Sequence, residues 1–447
     1  LMRWGDFDDR FLTEYGKELM KVEKERSGNG KDASGAWIRF PGDPNLNHTG
    51  TDSGADPVTG YMMALKHSPD AATEFFNGTF VTKDEDHEFL RDTDDDGKQG
   101  KVGLTNFQYL FEERDWPKDY DDKGDESVTG KNALAQALEA ATTGHPAGEK
   151  PTRDLPPHTP AQAELATSLI RSIGEDTERL TENGYMSDSF GRIAAEYLPD
   201  LHRIVADNDH ENTQRIFPIA GAAANPSHLD VTRFLFSLGQ NPEGYAEVQA
   251  GQRAYMADLM DYHLNPDAPE GERSPLGHQD TVEEITRRSA EISGTMTLGR
   301  RQEVLEEGHE KDEEFTHAMT QRKNVASGLI GTGIGVGVSF VATPAVGAVI
   351  GGYSGTISSV LLEEHFKTYE PEALKDLGYS AGNIWETEKK VSVDLAHKAA
   401  EEAAETHGLP EPNKAAGWAV EGTSNGFNDA SVNVDNMADD IKIDIPN

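Results

Sequence analysis

The stretch Asn324–Leu362, NVASGLIGTGIGVGVSFVATPAVGAVIGGYSGTISSVLL, runs 39 residues without a charge in a chain that is otherwise rich in charge, 27 % overall. Every fourth position in it is small or hydroxylated: Ser327, Gly331, Gly335, Ser339, Thr343, Gly347, Gly351, Gly355 and Ser359, with Val, Ile, Leu and Phe between them. In a helix such a row forms one face on which another helix can approach closely, a glycine zipper. Pro344 divides the run, and proline is costly in a helix interior. The reading is a hairpin of two helices turning at Thr343–Ala345, each arm roughly 30 Å long, about the thickness of a bilayer core. Its apolar side chains favour insertion of the first arm by about 3 to 4 kcal/mol, much of it offset by glycines, hydroxyls and Asn324. Two readings follow: a hairpin buried permanently in a helical core, and one that inserts conditionally in a membrane.

Outward from this run, helix signals dominate and alternating strand patterns are scarce. Ser68, Pro69 and Asp70 read as the start of a short helix ending near Phe76, and the same grammar recurs at Thr159-Pro160 and Asn241-Pro242. Apolar residues at three-to-four spacing follow, as in Leu134, Leu138 and Ala141, or Ile193, Tyr197, Leu198 and Leu201. The expected fold is all-α: multi-domain helical bundles with a C-terminal Gly-rich apolar hairpin. Pro-rich and Gly-rich stretches at 144–160 and 265–280 suggest boundaries. They divide the chain into a helical domain over 1–150, a second over 151–275, a long charged helix plus the hairpin over 276–370, and a C-terminal helix with a loosely ordered acidic tail over 371–447. The charged helix is expected from about Asp280 to Lys323, and 27–56 as an irregular connection.

Lys and Arg number 41 against 80 Asp and Glu, a net charge of −39. Nucleic acid is therefore excluded as an expected partner, because phosphate binding needs concentrated basic residues. With no cysteine there is neither a disulfide framework nor a Cys-ligated zinc. The opening Leu1-Met2-Arg3-Trp4 shows no secretory signal pattern. A first residue other than methionine is read as a processed chain or a piece of a longer one.

Four motifs carry candidate chemistry. Asp92, Asp94, Asp96 and Gly97 reproduce the first half of an EF-hand loop, between helices expected over Lys83–Arg91 and Leu104–Arg114. Gly103 stands where a bidentate Glu should close the coordination, so the expectation is weak calcium binding or a solvated acidic loop. No other cofactor is expected. Gly378-Tyr-Ser-Ala-Gly382 matches a nucleophile elbow around Ser380, which needs a strand before it; the charged residues before Gly378 read as helix. His309, Glu313 and His317 share one helix face, but the outer two lie about 12 Å apart along the axis and cannot ligate one ion. The glycines 331–337 complete no phosphate loop. The expectation is a protein without enzymatic activity.

Several segments resemble a family of large, uncharacterised actinobacterial (Streptomyces-type) helical proteins associated with type VII (WXG100) secretion. They are His67–Asn77 (HSPDAATEFFN), Ala133–Gly144 (ALAQALEAATTG), Ser189–Asp200 (SFGRIAAEYLPD) and Leu229–Leu235. The resemblance spans roughly Trp4 to Leu362, although none of the five tryptophans has glycine two residues on. It implies a helical scaffold that is secreted or held in the cell envelope, cytoplasmic before export, and toxin-related. Its expected partners are other proteins or copies of itself, with conditional membrane contact through the hairpin.

Overall fold

The computed structural model describes the chain outside residues 1, 6, 38–44, 93–96, 150–155, 207–210, 270, 331–355, 377–379 and 439–447. With 68 % of the chain helical and only a few short strands, the fold is all-α. The chain forms two compact units, Leu1–Glu149 and Lys150–Asn447.

The first unit is built on helices α1 (Asp9–Ser27), α2 (Pro57–Leu65), α3 (Pro69–Asn77) and α4 (Thr129–Thr143). Local signals start two of them: Asp8 accepts from the Phe11 N–H to cap α1, and Asp56 accepts from the Val58 N–H ahead of Pro57 in α2. Their inner faces bury Leu12, Tyr61, Phe76, Leu134 and Leu138. Between α3 and α4 lie two antiparallel strand pairs, β1 (Thr79–Val81) with β4 (Leu104–Thr105), and β2 (Leu90–Arg91) with β3 (Gly100–Lys101). The helix expected over Lys83–Arg91 is thus a turn leading into β2; the segment pairs with β3 in preference to coiling on itself. At the unit's centre Arg114 is buried against two carboxylates, donating to Glu23 at 2.8 Å and to both oxygens of Asp56 at 2.9 and 3.2 Å.

The second unit contains α5 (Pro160–Glu175), α6 (Ser187–Glu196), α7 (Leu198–Val205), α8 (His228–Gly239), α9 (Pro242–Leu264), α10 (His278–Glu307), α11 (His309–Ile330), α12 (Thr356–Lys367), α13 (Ile384–Thr406) and α14 (Pro412–Met437). Helix α9 is its axis: every residue of it except Glu243 and Asp258 is buried. Helices α6, α10, α11, α12 and α13 pack around it.

Two expectations change here. The charged helix expected over 280–323 breaks at Gly308, which has φ 89° and ψ −157°, a conformation essentially restricted to glycine. In an unbroken helix Arg300 and Asp312 would stand about 18 Å apart along the axis. The break folds α11 back so that they meet at 3.0 Å, and Lys311 reaches Glu303 at 3.3 Å. The stretch expected as a loose tail forms α14 over Pro412–Met437. Gly, Asn and Asp are poor helix formers, but packing overrides propensity. Ala415, Ala419, Gly422, Gly426 and Ala430 form a buried seam against α10 so close that a Cβ on Gly426 would sit 2.0 Å from the Arg287 carbonyl oxygen. Among the described residues no helix is long and apolar enough to cross a membrane.

Candidate functional site

The uncharged run leaves the described structure from α11 and returns at α12. These two helices pack against each other, and both pack on α9. Three buried polar groupings hold this corner together.

The first centres on Arg300 of α10, which is fully buried. Its guanidinium donates to Glu388 of α13 at 2.8 Å and to Asp312 of α11 at 3.0 Å. It also lies 5.2 Å from the Phe315 ring and 5.3 Å from the Tyr245 ring, in reach of cation–π attraction. The Tyr369 hydroxyl, just beyond α12, donates to Glu388 at 2.8 Å. One arginine thereby joins α9, α10, α11, α13 and the end of α12, and two carboxylates compensate its charge.

The second grouping joins α11 directly to the axis. Arg322 meets Glu247 of α9 at 2.6 Å, and Arg192 of α6 approaches the same carboxylate at 3.6 Å. Burial raises the Glu247 pKa, and the two guanidinium groups oppose that shift.

The third grouping is incompletely satisfied. Arg253 of α9 is fully buried, yet among the described residues its side chain donates one hydrogen bond, to the Ser392 hydroxyl at 2.6 Å, and its Nε finds no partner. His365 of α12 is also fully buried, and among the described residues neither ring nitrogen has a hydrogen-bond partner. Its ring packs edge-on to Tyr369 at 5.4 Å. Burial, and then the neighbouring Arg253 charge, hold the His365 pKa well below the ordinary imidazole value. The imidazole is therefore neutral here, and protonating it would set two cations together with no acceptor for the new donor.

Of the residues singled out in the sequence, Ser327 lies in α11, while Gly331, Gly335, Ser339, Pro344, Gly347, Gly351 and Gly355 lie outside the described residues. Asp92 accepts the Gly97 N–H at 2.7 Å, and Asp94 and Asp96 lie outside the described residues. That loop joins β2 to β3, so it is the tip of a strand pair and lacks the two flanking helices of an EF-hand. Among the described residues no group of three or more His, Asp or Glu side chains is placed to hold a metal ion. Ser380 is exposed and donates to Asn383 at 3.1 Å at the start of a 3-10 turn. A helix, Pro371–Asp376, stands where an elbow would need its strand. His309 and Glu313 are exposed on α11 and 3.8 Å apart.

Arg253, Arg300, His365 and Glu388 were missed in the sequence, where each reads as one more charged residue on a helix face. A signal was nonetheless present for Arg300, which ends the uncharged stretch Ile292–Gly299.

Residues 5–373 match a family described as a family of unknown function, DUF6571. No curated protein and no solved structure matches the chain. With the match covering most of its length, the chain belongs to the DUF6571 family of unknown function.

Proposed function

We propose that this protein is a non-enzymatic helical scaffold whose second unit carries the uncharged run 324–362 as a segment for conditional membrane contact. The supporting observation is that α11 is fixed to α9 and, through Arg300 of α10, to α13 by buried ion pairs, while α12 packs on α9 and α13 and Tyr369 just beyond it donates to Glu388. That arrangement suits a segment carried by a soluble acidic body, because the charge needed for solubility lies elsewhere in the chain. The under-satisfied His365 at the base of α12 supplies a reason for the contact to depend on conditions. On the resemblance drawn from the sequence, the proposed setting is an exported, toxin-related protein that works with protein partners.

Leakage of dye from anionic liposomes as pH is lowered tests this reading. Wild-type protein should release dye, and Gly351→Glu and Ile334→Asp should abolish release, since each places a carboxylate in the run. Equal leakage from both variants would sink the proposal. Light scattering must accompany the measurement, because net charge vanishes near the sequence isoelectric point of 4.6.

The competing reading is a structural or protein-binding module with the run permanently buried. It draws on the same packing of α11 and α12 on the almost entirely buried α9. Hydrogen exchange separates the two: uniform protection of 325–362 at every pH favours the buried module.

A further inference from the structure

The two helices that flank the uncharged run are fastened by different chemistry. Helix α11 is held by ion pairs: Arg322 meets Glu247 of α9 at 2.6 Å, and Asp312 meets the fully buried Arg300 of α10 at 3.0 Å. Helix α12 instead buries Ile357, Leu361, Leu362 and Phe366 where it packs on α9 and α13. Its Glu364 pairs with Lys398 of α13, but both side chains are partly exposed, and such pairs contribute little. His365 falls on the apolar face, one turn after Leu361 and one turn before Tyr369, and its ring lies edge-on to Tyr369 at 5.4 Å.

The neighbouring helices set the charge around that imidazole. From α9, Arg253 faces it, and its positive charge opposes protonation. On α13, Glu388 is taken up by Arg300 and the Tyr369 hydroxyl, and Lys398 by Glu364. The charges that α11 brings, Asp312 and Arg322, are engaged by Arg300 and Glu247. On α12 itself, Glu363 pairs with Lys367 at 2.8 Å on the exposed face. Protonation of His365 therefore adds a cation beside a buried cation. An imidazole that leaves this position returns to the ordinary pKa of about 6.5, so the undocked helix takes up the proton and gains on the docked one as pH falls below that value. Glu247 has the opposite sign. Burial raises its pKa, so its packed carboxyl holds a proton that it would release on exposure, and acid favours the packed state of α11.

The geometry points to α12 as an acid-released latch, which undocks from α9 and α13 while α11 stays in place. The uncharged run is then freed at one end and held to the folded body at the other. The latch rests on the function proposed for the run and supplies its regulation.

Hydrogen exchange on the full chain from pH 7 to 5, corrected for the intrinsic pH dependence of amide exchange, tests the latch without lipid. Protection over 357–369 should fall about tenfold per pH unit below about 6, ahead of any loss over 309–323. In H365L that early fall should vanish. If circular dichroism shows that H365L does not fold, H365Q, which likewise takes up no proton, makes the same comparison. No fall over 357–369, simultaneous loss over both helices, or an early fall that persists in the variant overturns the proposal. Liposome leakage is read separately. Undocking without leakage keeps the latch and removes the membrane reading, whereas leakage without undocking of α12 removes the latch alone.

Discussion

Both units bury arginine, but they do so in opposite ways. In the first, Arg114 is held by Glu23 and both oxygens of Asp56, its guanidinium lies 4.4 Å from the Trp116 ring, and Tyr109 donates a further hydrogen bond to Glu23 at 2.9 Å. In the second, Arg300 is similarly compensated, but among the described residues Arg253 has one serine and the adjacent His365 no hydrogen-bond partner. A satisfied buried pair resists every change to it, whereas an under-satisfied one costs stability in the folded state and lowers the work of opening it. The difference marks the second unit, which carries the uncharged run, as the one that yields first.

Acid should expose that difference most strongly. Burial pushes His202 down to about 3 and His263 down to about 4, and holds His365 well below the ordinary value. Each folded pKa lies below the unfolded value of about 6.5, so the unfolded chain binds more protons and stability falls as pH drops below that point. Asp200 works the other way: burial raises its pKa to about 7, so its native form holds a proton that the unfolded chain releases. The three imidazoles make the second unit lose stability as pH falls below about 6. Burial also raises Glu247, Glu303 and Glu402, which limits that loss. In the first unit Asp52 is lowered; burial opposes the shift, but hydrogen bonds and charge from Arg3 outweigh it. Its contribution persists above the ordinary carboxylate pKa and is lost only below it. Hydrogen exchange between pH 7 and 5 should therefore show protection fading across 156–438 before 2–149. Loss in the reverse order would break the comparison.

Replacing the arginines sharpens it. R114M strands two buried carboxylates and should cost about 3 to 5 kcal/mol in urea unfolding of the first unit. R253M strands none, and should cost less than about 1 kcal/mol or stabilise at pH 7. A large loss for R253M would show that the guanidinium is better satisfied than its hydrogen bonds imply. G426A should cost about 1 to 3 kcal/mol, because its methyl would overlap the Arg287 carbonyl and force α14 away from α10. The smallest effect is expected from H365L: near neutrality at pH 7, with the acid slope of the second unit reduced by about 1.4 kcal/mol per pH unit. Urea midpoints across pH measure that slope directly.

The contrast between the units could not have been drawn from the sequence. The 39-residue run stands out there because an absence of charge is visible residue by residue. Arg253 and His365 do not, because nothing local distinguishes a buried, under-satisfied side chain from a solvated one on the next turn. The Asp92 loop erred in the opposite direction: its spacing was legible, but whether helices or strands flank it depended on pairing between Leu90-Arg91 and Gly100-Lys101.

The sequence by itself determined the all-α character and where several helices begin. Pro69, Pro160 and Pro242 each open a helix, after Ser68, Thr159 and Asn241, and the Thr159–Gln162 capping box forms as its spacing requires. These are interactions among neighbouring residues, so neighbouring letters contain them. Only the tertiary structure decided that α9 would be buried on all sides, that Gly308 would break a charged helix so that Asp312 could reach Arg300, and that a tail of poor helix formers would become α14. Each of those outcomes depends on the face another helix presents, and that face comes into existence only when the chain has folded.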